Sequence, residues 1–262
     1  MADSASSPSP LARTAREYWR QSKRPLASLL FILPLLAVYE GGVLWLGPEA
    51  VRNGADVWLS QLLAPLGLSG LMLVPLLTVF ILLAWHHVSG QGWRVSAVVL
   101  YTMLGESVAL ALLLVGLAHA QAGMMSLCGV PAPAPPVDYS TPCAWQTLPL
   151  VRNFLAQLVR FFGAGIYEEL LFRLMLLPAA VAVLGVLIGS PRVKVFCAVV
   201  LTSLAFSAAH YIGPHGEQFL AYTFTFRFLA GLFFALLFVH RGFGIAAGTH
   251  ALYDIFVGFV FP

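Results

Sequence analysis

Gly165-Ile166-Tyr167-Glu168-Glu169-Leu170-Leu171-Phe172-Arg173 sets two carboxylates and a guanidinium inside a run that is otherwise almost continuously apolar. A charged side chain at the centre of a bilayer costs roughly 2.5 to 3.5 kcal/mol on insertion scales, so each of these groups needs a partner or a task. On an α-helix, at about 100° per residue, Glu169 and Arg173 share a face, with the acid on the N-terminal side, the favourable order for an ion pair. Glu168 points elsewhere. It is left unpaired within its own segment, available for chemistry or for a distant partner.

The rest of the chain gives this stretch its setting. The 262 residues are 60% hydrophobic and 10% charged, with a mean hydropathy of +0.87. Such a composition predicts an all-α fold, a polytopic membrane helical bundle with about eight transmembrane helices. The net charge of +3, without a basic patch interleaved with aromatics, excludes nucleic acid as a partner. The lipid bilayer is the partner that the composition requires.

Apolar runs place spans at about 26–46, 69–85, 96–118, 150–173, 174–189, 193–212, 218–239 and 243–261, with 56–66 suited to lying along the membrane surface. The domain organisation expected is a cytoplasmic N-terminal tail (1–25), accessory transmembrane helices (26–118), a Pro-rich non-cytoplasmic loop (119–149) and a transmembrane core (150–262) that carries the polar motifs. Arg13, Arg16, Arg20, Lys23 and Arg24, just ahead of the first apolar run, predict a cytoplasmic N-terminus and a retained signal anchor. An eight-span count puts Glu168 and His210 together in the cytoplasmic half, but it leaves Arg192 and Lys194 outside, against the positive-inside tendency. Of three cysteines, Cys128 and Cys143 flank the Pro-rich loop, where a disulfide could form, and Cys197 reads as a packing residue.

Three polar sets stand in the last spans. Glu168, Glu169 and Arg173 form the first; Phe206 and His210, four apart on one helical face, form the second; His250 and Asp254, again four apart, form the third. A further acid, Glu106, reads as a partner for a buried arginine such as Arg227. Glu, His, His and Asp drawn from three helices can hydrolyse a peptide bond, which needs a base to activate water and donors or a metal ion for the oxyanion. Glu168 suits the base, His210 could hold the water and His250 could donate to the oxyanion. The same four side chains, Glu168, His210, His250 and Asp254, could alternatively bind zinc.

These motifs resemble those of the CPBP family of intramembrane proteases (CAAX protease and bacteriocin-processing, or ABI, family), which includes the type II CAAX prenyl endopeptidases. The family pattern of Glu-Glu-x-x-x-Arg, Phe-x-x-x-His and His-x-x-x-Asn/Asp appears here as Glu168-Glu169 with Arg173, Phe206 with His210, and His250 with Asp254. The resemblance implies a helical bundle open toward the cytoplasm, with 150–262 as its catalytic core. It further implies an intramembrane endopeptidase acting on membrane protein or peptide substrates. In the glutamic-type mechanism Glu168 with His210 activates water, and His250 with residue 254 forms the oxyanion hole; no cofactor is expected there, whereas a metalloprotease description makes Zn possible. An ionised Asp254, unlike asparagine, only accepts hydrogen bonds, so it must be protonated, orient His250 or ligate a metal. The absence of His-Glu-x-x-His counts against an ordinary zincin. A bacterial inner membrane is the expected setting. The competing readings are an ion-coupled transporter, which also uses buried acids and histidines, and a non-catalytic immunity or scaffold protein of the same fold.

Overall fold

A computed structural model describes residues 10–47, 52–67, 70, 72–129, 149–213 and 216–260. The fold is all-helical and suited to a membrane. Among the described residues six helices are long and apolar enough to cross it: α2 (Pro25–Leu46), α5 (Ala97–Leu127), α6 (Val151–Leu187), α7 (Pro191–Ala209), α8 (Ala221–Arg241) and α9 (Phe243–Val260). A shorter apolar helix, α4 (Leu73–Val88), packs against α2. Large apolar side chains point outward along these helices, among them Phe80, Tyr101, Leu113, Val186 and Phe196, as lipid requires and water forbids.

Two smaller helices among the described residues join the bundle. The basic N-terminal stretch contributes α1 (Pro10–Ser22), which is docked rather than trailing: Tyr18 donates a hydrogen bond to Glu106, and the Arg241 guanidinium lies 4.0 Å from the Trp19 ring centre. The segment expected to lie on the membrane surface forms α3 (Gly54–Leu63), and its Asp56 is fully buried, accepting a 2.8 Å hydrogen bond from Tyr39 of α2. The core sits where α2, α3, α4, α6 and α9 meet, around Ile32, Tyr39, Leu59, Leu82, Ile166 and Phe243.

Two boundaries differ from the sequence expectation. The third span continues nine residues past 118, to Leu127, because Ala, Gln and Met carry the helix on and Gln121 hydrogen-bonds the Tyr222 carbonyl at 3.0 Å. The rest of the Pro-rich loop, including Cys143 and hence the proposed disulfide, lies outside the described residues. More consequentially, the fourth and fifth spans are one continuous helix of 37 residues, α6. Pro178 does not break it. Residues Ala164–Glu168 and Leu170–Leu176 are π-helical, and Pro178 falls at the start of the α-helical segment that follows, where the hydrogen-bond register changes and a missing N–H is cheap.

This continuity changes how the motifs meet. The sequence suggests convergence through an extra crossing; the actual route is a hairpin at residues 188–190 between α6 and α7. Glu168 lies 19 residues before Leu187 and His210 lies 19 residues after Pro191, so two limbs of about 28 Å return His210 to the depth of Glu168. At the far end of α8, Gly242 turns the chain into α9 with φ +86, and a side chain there would meet the Lys23 backbone at 3.2 Å.

Candidate active site

Glu168 and Glu169 leave α6 in different directions, as helix geometry demands. Glu169 is fully buried and meets Arg173 at 3.0 Å, the ion pair expected from the sequence. It also accepts a 2.8 Å hydrogen bond from Nδ1 of His250 through the same oxygen, Oε1. Arg173 is 2% exposed, reaches the Gly231 carbonyl at 3.3 Å and lies 4.2 Å from the centre of the Phe206 ring. Phe206 stands edge-on to Phe172, His210 and His250, so its ring spaces the two imidazoles.

α6 can bring its acids this close to α9 because residue 165 is glycine. A Cβ there would stand 2.7 Å from the Ala247 carbonyl oxygen and 2.7 Å from the Ala251 side chain. Small residues at such a crossing let two backbones approach and set the distance between the helices.

Three polar side chains, His210, His250 and Asp254, converge on Glu168. Its Oε2 lies 3.9 Å from Nε2 of His210 and 3.9 Å from Nε2 of His250, and His250 Nε2 lies 3.8 Å from Asp254 Oδ2. The orientation of each ring follows from its other nitrogen. Nδ1 of His210 is 2.8 Å from the Phe206 carbonyl, an acceptor only, so that nitrogen carries the proton and Nε2 offers a lone pair toward Glu168 when the ring is neutral. His250 stacks on Phe234 at 4.4 Å with its Nδ1 proton held by Glu169. All four polar residues, with Phe206, line one cavity of about 270 Å³ whose remaining walls include Tyr222, Phe226 and Arg227.

One participant was invisible in the sequence. Asn53, ahead of α3, donates from Nδ2 to Glu168 Oε1 at 2.9 Å, across 115 positions of chain. Its Oδ1 accepts from the Ala55 backbone as the cap of α3, so the amide is oriented by the helix it starts. An Asn before a short amphipathic helix signals a cap; nothing in its spacing signals Glu168. Next to it, Tyr167 donates to Glu40 at 2.6 Å, and Arg52 reaches both Asp56 at 2.6 Å and Glu40 at 3.3 Å. Glu40 therefore turns into the bundle.

The structure re-pairs two other charges. Glu106 serves Arg241, at 2.5 and 2.6 Å, and Tyr18, not Arg227; Arg227 instead pairs with Glu217 at 2.6 Å and Tyr211 at 3.3 Å. The reason is position: Glu106 and Arg227 lie toward opposite ends of the bundle. As for a metal, among the described residues no group of three or more His, Cys, Asp or Glu side chains is arranged to hold one.

Residues 150–256 match the model of a family described as type II CAAX prenyl endopeptidase Rce1-like. The match bears out the resemblance to the CPBP and CAAX protease family drawn from the three motifs, and it covers all seven of their residues. At the level of that family it indicates an integral membrane protease. No curated protein and no solved structure matches the chain.

Proposed function

We propose that the chain is an intramembrane endopeptidase that hydrolyses peptide bonds of membrane-associated protein or peptide substrates, with 150–262 as its catalytic core and 26–118 as accessory helices. The observation that carries this reading is the state of Glu168 Oε2: it is buried, has no hydrogen-bond partner among the described residues, and faces two imidazole Nε2 atoms at 3.9 Å. These separations are too long for direct hydrogen bonds, and a third oxygen drawn in among the groups would satisfy all of them at once.

The chemistry follows from which group can give and which can take a proton. Water held by Glu168 and the lone pair of His210 Nε2 loses a proton to Glu168 as its oxygen attacks the substrate carbonyl carbon. The carbonyl π pair moves onto oxygen. His250 is flanked by Glu169 on one nitrogen and Asp254 on the other, and with both nitrogens carrying a proton its Nε2–H stabilises the oxyanion. The oxyanion pair then re-forms the carbonyl as the C–N bond breaks, and the nitrogen that leaves with that bond's electrons takes the proton back from Glu168. Asp254 in this scheme supports the charge and orientation of His250, a role that an ionised carboxylate can fill. No step is routed through a metal ion.

A bacterial inner membrane is the setting we propose. The test compares the peptide termini of membrane and exported proteins in cells carrying the native chain or Glu168→Gln at matched expression. New termini that depend on Glu168 are expected; identical termini in both cells, with a substrate present, overturn the reading.

A further inference from the structure

The cavity has a floor and a mouth, and α8 measures the distance between them. Phe234 and Ala230, near the middle of α8, are buried, whereas Tyr222 and Thr223 at its N-terminal end are partly exposed, and all four line the cavity. His210 caps the C-terminal end of α7 at the same level. Glu168 meets Asn53, which follows the C-terminal end of α2. The cavity therefore opens at the end of the bundle where α2 finishes and α8 begins.

The other end is where the positive charge collects. Arg24 donates to the Arg94 carbonyl at 3.1 Å, Lys23 abuts Gly242, and Arg241 joins Glu106 there. The hairpin that carries Arg192 and Lys194 lies at this end too, because the second half of α6 runs from Glu168 past Leu174 and Pro178, which share a depression with Ile81 and Trp85 of α4 and Val239 of α8. At the mouth end stand four, Arg52, Arg152, Arg160 and Arg227, against six, Lys23, Arg24, Arg94, Arg192, Lys194 and Arg241, at the other. Short loops rich in Lys and Arg stay in the cytoplasm.

We propose that the catalytic cavity opens on the non-cytoplasmic face of the membrane, so that its substrates are segments of exported or membrane-anchored proteins presented there. The substrate class rests on the protease reading above; the orientation does not. A cytoplasmic N-terminus and a site open to the cytoplasm, both expected from the sequence, are incompatible in this fold, since they fall at opposite ends. The charge distribution favours keeping the first. It also resolves the conflict with the positive-inside tendency, because Arg192 and Lys194 join Lys23, Arg24, Arg94 and Arg241 on the cytoplasmic side.

Two single cysteines decide it, in a chain whose Cys128, Cys143 and Cys197 have been replaced by serine. Gln218→Cys stands in the exposed segment at the mouth, and Ser190→Cys stands in the hairpin at the basic end; neither residue belongs to the proposed machinery. A membrane-impermeant charged maleimide added to intact cells is expected to label Gln218→Cys as fully as it does after permeabilisation, and Ser190→Cys only after permeabilisation. The reverse pattern overturns the orientation whether or not the protein cleaves anything. With the orientation established, Glu168-dependent termini are expected in non-cytoplasmic segments; termini confined to cytoplasmic segments overturn the substrate class.

Discussion

Glu106 and Glu168 are both acids set in long apolar helices, yet their surroundings are opposites. Glu106 is saturated: Arg241 takes both of its oxygens at 2.5 and 2.6 Å, and Tyr18 adds a third donor. Burial first, and then the Glu106 carboxylate, lift the Tyr18 phenol above its ordinary pKa, so it keeps its proton and remains a donor. Glu168 has one firm partner, Asn53, on one oxygen, while the other faces two nitrogens too distant to bond. An acid whose lone pairs are all taken holds helices together. One that is aimed at ring nitrogens without reaching them is poised to take a proton from something placed between.

The contrast is sharpest in rate. Glu168→Gln is expected to lower turnover by at least the roughly 10²- to 10⁴-fold that a general base supplies, while thermal unfolding in detergent stays where it was. Arg173→Ala comes next, because it strands Glu169, which is 0% exposed: a destabilisation of about 3 to 5 kcal/mol, read as a lowered unfolding midpoint. Glu106→Gln should behave as the mirror image of Glu168→Gln. It weakens a charge-assisted cluster by on the order of 1 to 3 kcal/mol and leaves turnover per folded molecule intact; a selective loss of turnover would erase the distinction between the two acids.

Asn53→Ala is a smaller probe, removing one hydrogen bond to Glu168 and one helix cap, each worth about 1 kcal/mol. A modest fall in both stability and turnover is the expected result, and an unchanged enzyme would make the Asn53 contact incidental. The smallest effect is predicted for a chelator. Treatment followed by gel filtration should leave peptide cleavage unaltered, and activity lost to chelation but restored by Zn would require the four side chains to act as ligands.

Much of the site is legible in the amino-acid sequence itself. Helical periodicity alone pairs Glu169 with Arg173, and the separate motifs Phe206-x-x-x-His210 and His250-x-x-x-Asp254 identify the residues that converge on Glu168. What periodicity cannot convey is depth. Pro178 looks like a span boundary because proline usually ends a helix; only the π-helical hydrogen-bond register ahead of it lets α6 continue, and that register has no sequence signature of its own. Asn53 was hidden for a different reason, since its bond to Glu168 depends on a contact across 115 positions. The partners of Glu106 and Arg227 failed likewise: complementary charge suggests a pairing, but only packing says which end of the bundle each group occupies.

The hairpin between α6 and α7 behaves as a pair of callipers. Its two arms are matched in length from the joint to the working tips, Glu168 and His210. Removing a single residue from one arm would draw its tip back by about 1.5 Å and swing it by about 100°, carrying the imidazole out of reach. Residues added within the joint itself, at 188–190, leave both arms unaltered. Length change is thus expected to be tolerated at the hinge and not along the arms, which makes the number of residues in each arm as much a part of the proposed active site as the side chains at their tips.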